Sequence, residues 1–139
     1  MEYVLAASAA RGPTAGTNGT STLIGGYVKR VQIVLDVTAA TTNANDLCDV
    51  YIDVSQDASK WLPAVHFVQQ LGNGGAKTEI ANLDPSNPGT ATVLVTSDPA
   101  AGAVRPGVWG KYIRTRWVIV DGGGAGDPLF TFSVKATTQ

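Results

Sequence analysis

Apolar and polar residues alternate with a period of two toward the C-terminal end of the chain. In the run Lys111–Val120, Ile113 and Ile119 fall on one face of an extended backbone, whereas Arg114 and Arg116 fall on the other. Such alternation, with β-branched and aromatic residues, is typical of a half-buried β-strand. The run therefore predicts a strand that turns one face toward a core.

The same alternation recurs along most of the chain. Phe130, Phe132 and Val134 share one face of the last run, and Gly72–Gly75 and Asp84–Gly89 carry strong turn signals. Nowhere do apolar residues recur at i, i+3, i+4 and i+7 over three turns, so we expect no long helix. The predicted strands are Tyr3–Ala6, Tyr27–Thr38, Leu47–Ser55, Trp61–Leu71, Lys77–Leu83, Thr90–Thr96, Lys111–Val120 and Leu129–Val134.

Short strands separated by turns at intervals of roughly ten residues predict an all-β fold. We expect a single antiparallel β-sandwich, of jelly-roll or immunoglobulin-like type, because short turns favour hairpins over crossover helices. Residues 11–26 are rich in Gly, Thr and Ser and resemble a flexible linker. The expected organisation is an N-terminal arm with a flexible segment over residues 1–26, followed by a β-sandwich domain over residues 27–139.

The amino-acid composition limits the classes of protein to which this chain can belong. The 139 residues are 44% hydrophobic and 15% charged, which suits one globular domain. The 10 basic and 11 acidic residues give a net charge of -1, which argues against a nucleic-acid surface built on bulk charge. No apolar stretch approaches the ~20 residues that cross a bilayer, so we expect no membrane partner.

The sequence offers little material for catalysis. Cys48 lies on the apolar side of its predicted strand, so we interpret it as a small buried hydrophobe. His66 is the only histidine, lies on the polar side between Val65 and Phe67, and is predicted to face solvent or an interface. One histidine and one cysteine leave no basis for a catalytic triad or a histidine-based metal cluster. We therefore expect no enzyme activity, no cofactor and no metal.

Two further features have structural interpretations. Asp49 and Asp53 are predicted to face outward on one strand, about 13 Å apart, which is too far to share one proton or cation.

Gly122–Gly126 is followed by Asp127-Pro128 and a strand rather than by a helix. Because a phosphate-binding glycine loop opens a helix, we interpret this run as a flexible hairpin connection.

Aromatic residues on the predicted outer faces are the best candidates for binding. Tyr112 shares a face with Arg114 and Arg116, and aromatic residues with arginine are enriched at protein–protein hot spots. Exposed aromatic rings also stack on sugars. The alternative set for sugar binding consists of Tyr51, Trp61 and Trp109.

The order of these segments resembles a group of small tailed-bacteriophage virion proteins. The resemblance spans nearly the whole chain, and the chain departs from it in Asp84–Gly107 and Asp121–Pro128. The segments that carry it are Val4–Arg11, Val31–Thr38, Asp49–Ser55, Trp61 with the pair His66-Phe67, Ile113–Val118 and Phe130–Val134.

The resemblance implies a non-enzymatic structural protein, with head decoration, cement or spike-base proteins as the typical members. The expected partners are the major capsid protein and further copies of this chain, as a trimer or other cyclic oligomer. The expected location is the capsid exterior, after synthesis in the host cytoplasm. A carbohydrate-binding β-sandwich or a head-fibre or spike base stays open as an alternative, as does a neck or tail component. The predicted contact residues are Tyr112, Arg114 and Arg116 on the sheet and Tyr3, Leu5 and Arg11 in the arm.

Overall fold

The computed structural model describes residues 1–25, 28–86 and 97–139, and every regular element in these ranges is a β-strand. None of the described segments is a helix able to span a membrane. The strands are β1 (Glu2–Arg11), β2 (Thr14–Asn18), β3 (Thr22–Leu23), β4 (Val31–Ala40), β5 (Leu47–Ser55), β6 (Leu62–His66), β7 (Gln70–Leu71), β8 (Lys77–Leu83), β9 (Ala103–Val104), β10 (Tyr112–Val120) and β11 (Phe130–Thr138).

The strands form two antiparallel sheets that pack face to face, which confirms the predicted all-β sandwich. Sheet A has four strands in the order β1-β11-β4-β8. Sheet B has the order β2-β10-β5-β6-β9, with β3 paired to β10 and β7 paired to β5. The sheets meet through the residues that alternation assigned to the core. Those with no exposed surface include Val31, Ile33, Leu35, Val50, Ile52, Ile113, Phe130, Phe132 and Val134.

The prediction of a separate N-terminal arm is wrong. β1 pairs along its length with β11, from Glu2 opposite Thr137 to Arg11 opposite Phe130. β2 and β3 add to β10 at the edge of sheet B. The segment taken for an arm and a linker therefore supplies edge strands to both sheets. The Ala-rich composition of β1 obscured this, because small side chains give a weak alternation signal.

Two other predictions change in detail, and a third is not tested. The run Trp61–Leu71 is not one strand, because β6 ends at His66 and β7 begins at Gln70. No strand was predicted between Thr96 and Lys111, and the short strand β9 lies there. The predicted strand Thr90–Thr96 lies outside the described residues.

Candidate interaction surface on sheet B

The register of sheet B sets the order of the side chains on its outer face. β10 and β5 pair without interruption, which brings Arg114 opposite Asp53 and Arg116 opposite Tyr51. On the other side of β5, His66 of β6 lies opposite Tyr51. Because side chains on a strand alternate between faces, these residues all point away from the core. The sheet thereby assembles charged and aromatic groups from three strands on one surface.

Asp53 lies at the centre of this surface. Its Oδ2 accepts hydrogen bonds from Nε and Nη2 of Arg114, both at 3.2 Å, and from Nε of Arg116 at 3.1 Å. Its Oδ1 accepts a further one from Nη2 of Arg116 at 3.2 Å. The side chain lies on the outward face, as predicted, and is only 2% exposed. The two arginines cover it.

Arg116 is held by a second carboxylate as well. Its guanidinium pairs with Asp98, which precedes β9 in the chain. Burial alone lowers the pKa of Arg116, but the hydrogen bonds to Asp53 and Asp98 outweigh it and raise that pKa above its ordinary value. The side chain is thus fixed in place and permanently charged.

Each arginine also lies over an aromatic ring. The guanidinium carbon of Arg114 is 4.2 Å from the ring centre of Trp61, and that of Arg116 is 4.1 Å from the ring centre of Tyr51. Both distances are in the range of cation–π attraction. With Tyr112 beside them on β10, these side chains form what we call the Arg–aromatic patch: Tyr51, Trp61, Tyr112, Arg114 and Arg116.

His66 borders the patch and does not face solvent, contrary to one part of its prediction. It is 8% exposed and stacks on Tyr51 with a distance of 4.2 Å between ring centres. Its Nε2 lies 2.8 Å from Oδ1 of Asp49, and its Nδ1 lies 2.9 Å from the carbonyl oxygen of Pro99. The histidine therefore connects the sheet to the segment that precedes β9.

The three predicted contacts of the arm lie within the fold. Leu5 is 2% exposed and belongs to the core, and Tyr3 packs against that core. The Arg11 guanidinium donates to the carbonyl oxygens of Ala7, Ala9 and Phe132. Leu5 is not accessible to a partner, and Arg11 serves to fix the end of β1.

The predicted sugar-binding residues do not share one open platform. Tyr51 has Arg116 on one side and His66 on the other, so its ring faces are covered. Trp109 packs against the core, and Arg114 lies over Trp61. This arrangement argues against stacking of a sugar ring on Tyr51, because such stacking needs a free ring face.

The thiol of Cys48 is not activated. Burial, followed by the negative charge of Asp49, raises the pKa of Cys48 from 9.0 to about 12, consistent with its interpretation as a buried hydrophobe. Among the described residues, no group of three His, Cys, Asp or Glu side chains is placed to hold a metal ion.

Sequence reasoning missed the acidic partners Asp53 and Asp98 as parts of the binding surface. Asp53 could have been found from the predicted strands, because pairing β10 with β5 in register brings its carboxylate opposite Arg114. Asp98 carries no such signal, since it lies in an irregular segment.

Comparison of the chain with protein-family models, with curated proteins and with solved structures yields no match.

Proposed function

We propose that this protein is a non-enzymatic structural component of a tailed-bacteriophage virion, a capsid decoration protein that binds the major capsid protein through the Arg–aromatic patch. On this proposal it is made in the host cytoplasm and ends on the capsid exterior. It also associates with itself as a trimer or another cyclic oligomer. The phage assignment rests on the resemblance of the strand order and motifs to small virion proteins.

One observation carries the assignment of the binding surface: two arginines lie side by side over one buried carboxylate. The side chains of Arg114 and Arg116 are about one-fifth exposed, at 18% and 21%. Asp53 holds them in place, and a partner protein can still contact them. Arginine and aromatic side chains dominate the energetics of protein–protein interfaces. Since these side chains are already ordered, binding costs less conformational entropy than it would for mobile ones.

The balance of charge on the patch also suits a protein partner. Arg114 and Arg116 are matched by Asp53 and Asp98, so the surface presents donors and aromatic area without a large net charge. Binding to nucleic acid would instead favour an uncompensated basic surface. Repetition of a modest contact on a symmetric lattice provides avidity.

The carbohydrate alternative receives less support than the protein-binding one. Its three aromatic residues are divided between the patch and the core, and the ring of Tyr51 is covered by Arg116 and His66. A glycan array separates the two functions, with Trp61→Ala as the control. Strong binding of a sugar that depends on Trp61 would favour the alternative.

The experiment measures binding to capsids assembled from the major capsid protein encoded nearest to this gene. We expect the wild-type protein to occupy the capsid in many copies. Tyr112→Ala should weaken binding by about tenfold or more, as at a hot spot. Tyr112 is the preferred site because it belongs to the patch but makes none of the hydrogen bonds to Asp53 described above.

The matched control is Lys135→Ala, an exposed change on the outer face of sheet A that should leave binding unchanged. Equal binding of wild type and Tyr112→Ala, with both proteins folded, would reject the patch as the contact. Absence of binding to capsids would reject the decoration assignment. A copy number that corresponds to one ring per virion would instead indicate a neck or tail component, and sedimentation of the free protein tests the cyclic oligomer.

A further inference from the structure

We propose that His66 is a pH-sensitive latch: the doubly protonated ring holds the segment 97–100 on sheet B, and loss of one ring proton releases that hold. The inference is independent of the proposed function. It depends on the two atoms that face the ring nitrogens.

Both ring nitrogens of His66 face acceptors. The carbonyl oxygen of Pro99 lies 2.9 Å from Nδ1 and carries no hydrogen, so Nδ1 must donate. Oδ1 of Asp49 lies 2.8 Å from Nε2. A neutral imidazole has one N–H donor and one acceptor nitrogen, whereas the imidazolium has two donors. Only the doubly protonated ring satisfies both contacts when Asp49 is ionised.

The second oxygen of Asp49 is also hydrogen-bonded. Its Oδ2 accepts a hydrogen bond from the side-chain amide of Gln69 at 3.0 Å. The carboxyl group therefore contacts Gln69 through one oxygen and the ring of His66 through the other. A carboxylate in this arrangement needs a donor at Nε2 of His66, and the Pro99 carbonyl needs one at Nδ1.

Charged and titratable groups from three strands lie around the ring. From β5, Tyr51 stacks on it and Asp49 bonds to it. From β10, Arg116 lies over the same tyrosine and pairs with Asp98, the residue before Pro99. From β8, Glu79 shares with His66 the lining of a groove between the sheets, and its carboxylate accepts from the Val68 amide and the Gln70 side chain.

Loss of one proton from the ring to water removes one of the two donors. The remaining N–H should stay with Asp49, because a hydrogen bond to a charged acceptor is the stronger one. The deprotonated Nδ1 then faces the Pro99 carbonyl, which is also an acceptor, and the contact becomes unfavourable. Docking of the segment 97–100 therefore weakens as the pH rises, while the β9 pairing keeps the chain attached nearby.

The single histidine makes the test direct. The ring nitrogens of His66 are followed by nitrogen-15 NMR over about pH 5 to 8, where histidine side chains ordinarily titrate. The backbone amide signals of Asp98, Ala100 and Ala101 are recorded in the same samples. We expect the ring to hold two protons at the acidic end, and the amide signals to shift with the same midpoint as the ring.

Hydrogen exchange gives a second measure. The Gly102 amide donates to the His66 carbonyl oxygen at 2.8 Å. Its protection factor should fall by about tenfold as the ring loses its proton, the change expected when one hydrogen bond to a charged group is lost.

Asp49→Asn is the decisive variant. An asparagine side chain can donate its amide to a neutral Nε2 while Nδ1–H still donates to Pro99, so docking should persist over the whole pH range. Asp127→Asn, an exposed carboxylate change elsewhere, should keep the wild-type response. His66→Gln should abolish the response, and the asparagine variant remains informative if this protein is unstable.

Three results would overturn the latch. In the first, the amide signals of Asp98, Ala100 and Ala101 stay unchanged while the ring titrates. In the second, the ring keeps one protonation state throughout the pH range. In the third, Asp49→Asn responds to pH in the same way as the wild type.

Discussion

Arg116 donates to both carboxylate oxygens of Asp53, with Nε 3.1 Å from Oδ2 and Nη2 3.2 Å from Oδ1. This paired geometry is the strongest form of side-chain recognition between arginine and a carboxylate. Arg114 adds two further donors to the same group. Asp53 therefore joins two arginines on the outer face of sheet B. Its side chain plays no part in the backbone hydrogen bonds that hold the strands together.

Asp53→Asn should destabilise the protein. The change leaves Arg114 and Arg116 without their shared negative charge. We expect a loss of about 1.5 to 3 kcal/mol in the free energy of unfolding, as for hydrogen bonds to charged groups. The value lies below that for a fully buried pair, because both arginines keep some contact with water. Urea denaturation provides the measurement.

Glu2→Gln is the control for this prediction. Glu2 pairs with Lys135, and both side chains are about half exposed, so the change should cost less than about 1 kcal/mol. Equal losses in the two variants would contradict the central role of Asp53.

Leu5→Ala and Val4→Ala test whether β1 is part of the core. Leu5 is 2% exposed, whereas Val4 is 54% exposed on the opposite face. Removing the buried leucine should cost about 2 to 5 kcal/mol in the free energy of unfolding, and removing the exposed valine side chain should change it by about 0.5 kcal/mol or less. A negligible effect of Leu5→Ala would restore the interpretation of residues 1–11 as an arm.

Asp57 should make the fold sensitive to acid. Hydrogen bonds from the backbone N–H groups of Lys60 and Ser59, then from the Ser55 hydroxyl, lower its pKa below the ordinary value of 3.8. A lowered pKa gives stability that is present above the unfolded value and is lost as pH falls through the folded value. Asp57→Asn should therefore be less stable than wild type at neutral pH, and the difference should shrink below about pH 3.8.

Urea denaturation at several pH values measures this difference, with Asp127→Asn as the control for loss of one carboxylate. If the free energies of unfolding of wild type and Asp57→Asn differ by the same amount from neutral to acidic pH, the carboxylate charge is not the cause of the difference in stability.

Cys48 should resist thiol reagents in the folded protein. It is 1% exposed, and its pKa is raised to about 12 by burial and by the charge of Asp49. Since the thiolate is the reactive form, labelling at about pH 8 should be slower than in the unfolded chain by about a thousandfold or more. Spectrophotometric labelling with and without denaturant provides the comparison. Rapid labelling of the native protein would indicate that β5 opens to solvent.

Local patterns were sufficient to predict the strands of the core. Val31, Ile33, Leu35 and Val37 recur at every second position, and the polar residues Gln32 and Asp36 lie among them, so β4 could be predicted from the sequence. β10 and β11 follow the same rule. The same reasoning failed for β1, where Ala7, Ala9 and Ala10 give no such contrast. This strand is defined by its pairing with β11, more than a hundred residues away, and short-range patterns contain no information on that contact.

The candidate surface was predictable only in part, for a related reason. Arg114 and Arg116 could be placed together on one face from their spacing alone. The burial of Asp53 and the partners of His66 depend on the register between strands and on the position of Pro99 in an irregular segment. Sequence alternation assigns a side chain to a face, but whether that side chain is covered depends on its neighbours across the sheet.

The position of β11 within sheet A has a consequence for how the protein is made. β11 inserts between β1 and β4, so β1 has no partner in sheet A until β11, more than a hundred residues later in the chain, has been synthesised. Contacts between such distant segments form slowly because a long loop must close first. β1 thus presents unpaired backbone groups until β11 emerges, and its many Ala side chains offer little apolar area to other chains.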